Sequence, residues 1–254
     1  MQSFNTSGVF GKLPAHGDFV FRNLPNSCIS VWDEWLQSYI AGSQEHLRDG
    51  WLDLYLSSPI WRFALSEGVL NEMAWIGVLI PSVDRVGRYF PLTVLTQIPA
   101  GVSLFEAMLL QSDWFQQTEE LMLDSLEETF DIDTLFREVE VLTPEFSATY
   151  LKEQLYDSQK NAVVKMEFEE QSPSAVFPQL LDVFLTASLS SFSVWSTSGS
   201  DQVEPCTMVT QGLPRISSVP AMLDGQWNGW GWQNAYRLNA LQPQESTELR
   251  DSYE

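Results

Sequence analysis

Positive charge is scarce in this sequence: 13 Lys and Arg stand against 34 Asp and Glu in 254 residues, a formal charge of −21. Affinity for nucleic acid comes mainly from Lys and Arg on phosphates, so this balance argues against a nucleic-acid partner. Histidine is scarcer still. Only His16 and His46 are available for acid–base chemistry or metal ligation. Cysteine is limited to Cys28 and Cys206, far apart in sequence, which fits free thiols in a reducing cytoplasm. No apolar run approaches the roughly 18–20 residues of a membrane span, so no membrane insertion is expected. Met1 to Phe10 has neither a basic n-region nor an apolar h-region, so no signal peptide is expected and the chain reads as soluble and cytoplasmic. Walker A, Gly-x-Gly-x-x-Gly and Gly-x-Ser-x-Gly patterns are missing, Ser82 lying in Pro-Ser-Val-Asp instead, and no cofactor is expected.

Apolar and aromatic residues are plentiful. The chain is 44% hydrophobic, with 10 Trp and 15 Phe to anchor a core or an interface. A chain of this length buries about 70–75% of its unfolded surface. Acid is concentrated in the middle, where residues 101–182 carry 18 acidic and 4 basic side chains. Such a stretch is read first as a solvated face and second as a surface that steers toward a basic partner.

Hydrophobic periodicity places the elements. Gly8 to Leu13 reads as a strand ending in a Pro- and Gly-rich turn. Asn26 or Ser27 can cap a helix carrying Ile29, Trp32, Leu36, Tyr39 and Ile40, with Gly42 as its stop, and Ser43 can begin a second helix closed before Pro59. Ile60–Leu65, Met73–Ile80 and Tyr89–Ile98 read as strands. Ser103 to Phe136 is helical, with Ser103 and Glu106 as a capping box. Thr143–Tyr156 and Pro173–Leu189 read as helices, and Asn161–Phe168, Ser191–Ser196 and Cys206–Thr210 as strands. Gln242 to Glu254 reads as a disordered tail. Strands at both ends around a helical middle predict one domain over residues 1–241, with helices on both faces of a sheet.

The candidate chemistry lies in two turns. Lys12, Asp18 and Arg22 surround the first, and Asp84, Arg85 and Arg88 occupy the second, each set among Phe, Val and Tyr residues. Arginine forks of this kind tie loops to carboxylates and carbonyls, or form a recognition surface for a partner or an anion. Trp61 can add apolar area to such a surface. His16 and Asp18 form a possible acid–base or metal pair, though a turn histidine is the simpler reading. Asp131-Ile132-Asp133 resembles half a metal-carboxylate motif and reads more simply as a helix cap.

Four ordered segments then become informative together: Gly8 to Arg22, Trp32 to Gln37, Ser58 to Phe63 and Gly77 to Leu92. They resemble the TagF (ImpM) family of type VI secretion-associated proteins. Weaker echoes lie at Ser193–Ser200, Gly212–Pro214 and Ala221–Gly225. The resemblance implies a three-layer α-β-α sandwich, an α/β fold whose central sheet is mixed or largely antiparallel. It also implies a non-catalytic, cytoplasmic accessory protein that negatively regulates assembly or firing of the secretion apparatus after translation. The implied partner is the forkhead-associated scaffold protein of that system. The alternatives are a hydrolase or phosphatase-like enzyme using His16 and Asp18, and a structural component of the secretion machine.

Overall fold

The run Ala74–Ile80 is apolar on both of its faces, with Trp75 and Leu79 on one side and Ile76, Val78 and Ile80 on the other. Successive side chains of a strand point to opposite faces, so this run needs cover on both. The computed structural model, which describes residues 7–146, 176–233 and 236–237, shows that cover. The middle layer is a seven-stranded sheet of β1 (Ser7–Gly11), β2 (Val20–Arg22), β3 (Trp61–Leu65), β4 (Ala74–Ile80), β5 (Leu92–Ile98), β6 (Phe192–Thr197) and β7 (Cys206–Gln211). Its order is β2-β1-β5-β4-β3-β6-β7, and every neighbouring pair is antiparallel. The strand β6 pairs with β3, so residues after 190 complete a sheet begun by residues before 100.

One face is filled by aromatic residues under α1 (Asn26–Leu47), α2 (Trp51–Leu56) and α7 (Ala221–Asp224). Trp195 on β6 lies 4.9 Å from Phe63, 5.6 Å from Trp35 and 6.3 Å from Trp32, ring centre to ring centre. The indole N–H groups of Trp32 and Trp35 donate to Thr93 Oγ1 and the Pro214 carbonyl, which removes the cost of burying them. The other face is mainly aliphatic, with Val9, Ile76, Val78, Ile80, Val94 and Leu135 among its buried residues. It is covered by α3 (Leu104–Leu110), α4 (Ser112–Asp124), α5 (Ile132–Val141) and α6 (Phe177–Leu189).

Four expectations about boundaries change. Gly42 does not stop the first helix: α1 runs 22 residues to Leu47. A Cβ on Gly42 would sit 2.4 Å from Ile216 Cγ2, so the missing side chain serves close packing inside the helix. The break comes at Arg48, whose φ of 49° ends the regular geometry, and a 3-10 turn leads to α2 at Trp51. No side-chain cap begins α1, where Pro25 holds the cap position in place of Asn26 or Ser27. The helical stretch after Ser103 is three separate helices, and Thr143 to Phe146 is irregular rather than helical. The rest of Thr143–Tyr156, the strand Asn161–Phe168, Pro173 to Ala175 and the tail Gln242–Glu254 lie outside the described residues.

Candidate functional site

Pro81 ends β4 because a proline cannot donate to the ladder, and Leu92 resumes it as β5. Between them Asp84 organises the turn. Its Oδ1 accepts the amides of Val86 at 3.0 Å and Arg88 at 2.9 Å, and its own amide donates to the Arg88 carbonyl at 3.0 Å. An aspartate that captures amides two and four residues on replaces ladder bonds that the turn has given up. Gly87, at φ 86°, supplies the left-handed residue that this path requires.

The same carboxylate joins the two turns. Asp84 Oδ2 accepts from Lys12 Nζ at 2.9 Å and from Arg88 Nε at 2.6 Å. Lys12 and Asp84 are 5% and 3% exposed, so this is a buried ion pair rather than a surface contact. Arg88 Nη2 donates to the Gly17 carbonyl, the Arg85 amide donates to the His16 carbonyl at 3.0 Å, and Ser82 Oγ donates to the Lys12 carbonyl at 2.7 Å. Tyr55 closes the arrangement from α2, its hydroxyl donating to the Ser82 carbonyl at 2.9 Å and accepting the Ser82 amide at 3.0 Å. Burial pushes the Tyr55 phenol well above its usual range, so it stays neutral. Burial also pushes the Asp84 carboxyl up, but the donors from Arg88, Lys12 and Val86 outweigh it and hold the group well below the usual carboxylate range. Lys12 Nζ also lies 4.9 Å from the centre of the Phe19 ring, a cation–π contact that shields its charge.

Outside this lock the turns are open. Arg85, Asp18, Phe19, Phe21 and Val86 are exposed, with Phe21 at 64% and Val86 at 66%. The Arg85 guanidinium lies against Gly17, and among the described residues no carboxylate pairs with it. Asp18 reaches only 4.0 Å from Arg88.

Two of the predicted site residues lie elsewhere. Arg22 leaves the cluster for α5, where Nε is 3.4 Å from Glu140 Oε1 and the guanidinium stacks 4.9 Å from the Phe136 ring. Trp61 is fully buried in the aromatic core, so it offers a partner no surface. Its neighbour Arg62 faces the other side of the sheet and forks onto Glu119 of α4, with contacts of 2.5 and 2.9 Å. His16 and Asp18 are both exposed, and no hydrogen bond joins their side chains among the described residues. Asp131 caps α5 by accepting the amides of Asp133 and Thr134. Among the described residues no group of three or more His, Cys, Asp and Glu side chains is placed to hold a metal ion. Both cysteines are free; burial pushes the Cys28 thiol up to about 12, and burial with the Glu204 charge pushes Cys206 up to about 11, so neither is a ready nucleophile at neutral pH.

Two features escape the sequence reading. One is a groove of about 280 Å³ beside the turns, walled by residues of α2, α4 and both turn segments. The other is a buried polar contact between α3 and α6, where Gln179 Nε2 donates to Glu106 Oε2 at 3.0 Å and Asp182 Oδ2 accepts the Leu104 amide at 3.1 Å. Ser103 does cap α3 by accepting the Glu106 amide, so half of the capping box forms. The Glu106 carboxylate goes to Gln179, whose contact lies 73 residues away and leaves no local signal.

A family described as TagF N-terminal domain, type VI secretion system-associated, matches residues 8–142. Among solved structures, the crystal structure of PA0076 from Pseudomonas aeruginosa PAO1 is 33% identical, with a TM-score of 0.72 over 93% of this chain and 100% of that one. The curated proteins contain no match. Among the described residues no helix is long and apolar enough to cross a membrane.

Proposed function

Because the chain belongs to the TagF family of type VI secretion system-associated proteins, we propose that it is a non-catalytic regulator, acting in the cytoplasm after translation to restrain assembly or firing of the apparatus. Its partner in this reading is the forkhead-associated scaffold protein of that system, and residues 1–241 act as one domain. The observation that carries the reading is the state of the two turns. Asp84 and Lys12 are committed inward to each other, while the side chains of Arg85, Phe21 and Val86 face outward, with Arg85 and Val86 joined to the lock through their backbone amides alone. A rigid base under an exposed mixed surface suits recognition, since ordering is complete before the partner arrives.

Restraint by binding requires only occupancy. At a concentration about 100-fold above the dissociation constant, roughly one per cent of the scaffold stays free, by mass action. The test is co-purification of the full-length chain with the scaffold protein from cells, followed by reconstitution from purified components. A stable complex without turnover of phosphoester substrates is the expected result. Bound metal together with phosphatase activity that His16→Ala abolishes would replace the regulator with an enzyme.

A further inference from the structure

The groove beside the lock is built from Pro14, Leu56, Ile60, Val83, Leu123 and Leu126, with no charged side chain in its wall. Leu56 and Leu123 stand at its rim, 53% and 48% exposed. Three of the four segments that carry the family resemblance meet there: Gly8–Arg22 supplies Pro14, Ser58–Phe63 supplies Ile60, and Gly77–Leu92 supplies Ile80 to Val83. At about 280 Å³ it lies below the roughly 300–1,000 Å³ of sites that enclose a drug-sized molecule, and it suits one or two large side chains.

Charge completes the description. Arg85 lies two residues beyond Val83 in the second turn, its guanidinium lies against Gly17, three residues beyond Pro14, and among the described residues no carboxylate pairs with it. Within the two turns, Lys12, Arg85 and Arg88 outnumber Asp18 and Asp84 by one positive charge, inside a chain of −21. A carboxylate that reached Arg85 would meet a fork that no carboxylate of the described residues occupies, and could bind it in bidentate fashion.

We propose that the groove and Arg85 form one docking site for a short peptide segment of a partner protein, which places a bulky aliphatic or aromatic side chain in the groove and a neighbouring Asp or Glu on Arg85. The proposal rests on the reading of the protein as a regulator that works by binding, and adds the chemistry of what is bound. The apolar anchor carries most of the affinity and the exposed ion pair sets register. Loss of the anchor therefore weakens binding by about 30-fold or more, and loss of the Arg85 fork by about fivefold or less.

The test is a photo-crosslinking amino acid placed at Leu123 in the full-length chain in cells, with Leu109 on α3, exposed but outside the groove, as the control position. The expected result is a Leu123 adduct whose mapped peptide joins a bulky apolar residue to an acidic one, with no such adduct from Leu109. Arg85→Glu should cut the adduct yield severalfold at an unchanged melting temperature, and Leu56→Asp should abolish it. If Arg85→Glu disturbs folding, Arg85→Gln makes the same comparison. An adduct with a second copy of this chain, a mapped peptide without acidic residues, or a yield indifferent to Arg85 overturns the proposal. If the scaffold co-purifies while Leu123 gives no adduct, the docking site alone falls; if neither is seen, the regulator reading falls with it.

Discussion

Asp84 and Glu106 are both buried carboxylates, and they behave in opposite ways. Asp84 has two amides, a lysine and an arginine aimed at it. Glu106 receives one side-chain amide, from Gln179, and has the Asp182 carboxylate as a neighbour. Burial pushes both groups up. The donors around Asp84 outweigh it, whereas in Glu106 burial prevails over the Gln179 bond and the Asp182 charge adds to it. Burial alone therefore does not say what a carboxylate does for a fold; the number and charge of its donors decide.

The largest expected effect comes from breaking the Asp84 side of this contrast. Asp84→Ala leaves Lys12 buried without a counter-charge and strips three further donors, which costs about 3–5 kcal/mol in chemical denaturation. A loss below about 1 kcal/mol would mean that the pair is not the hub of the two turns. Next in size is the coupling. In a double-mutant cycle, Lys12→Met combined with Asp84→Asn should lose less stability than the two single changes added together, by about 0.5–3 kcal/mol. Strict additivity would separate the two residues.

The acid response sharpens the comparison by sign. The folded Asp84 carboxyl titrates below its unfolded value, so its stabilisation is complete above about pH 4 and is lost as the pH falls further. Glu106 titrates above its unfolded value. The folded state then favours the protonated form, so ionisation lowers stability as the pH rises through the folded pKa, and the penalty disappears in acid. Glu106→Gln should therefore raise the melting temperature at pH 8 relative to its effect at pH 4, while Asp84→Asn should cost most at pH 8 and least near pH 2. Parallel pH profiles for the two variants would remove the distinction. The smallest effect on stability belongs to Arg85→Ala, within about 0.5 kcal/mol in thermal or chemical denaturation, because only its backbone amide ties the turns together.

The strand–turn–strand around Asp84 was legible in the sequence because apolar runs punctuated by Pro81 and Gly87 leave few alternatives. Lys12, Asp18 and Arg22 at one turn and Asp84, Arg85 and Arg88 at the other were legible as two groups of scarce charge, whereas the contact of Lys12 and Arg88 on one Asp84 oxygen spans segments 72 residues apart and had no local signal. Facing was not legible. Trp61 and Arg62 are adjacent, yet strand alternation sends the indole into one core and the guanidinium to Glu119 on the other side. Arg22 was drawn away by Glu140 of α5, a partner 118 positions along the chain that no local pattern announces. Gly42 misled for the same reason, because its neighbour Ile216 lies far off in sequence. The groove escaped because its wall is drawn from four separate segments, each of which reads alone as an ordinary apolar surface.

The central claim is recognition through the open side of a closed lock. Isothermal titration of the forkhead-associated scaffold protein with the wild-type chain and with Arg85→Glu, both of matched melting temperature, tests it most directly. The account predicts a measurable complex for the wild type and a severalfold weaker one for the variant. Equal affinities, or no complex with the wild type, would contradict it.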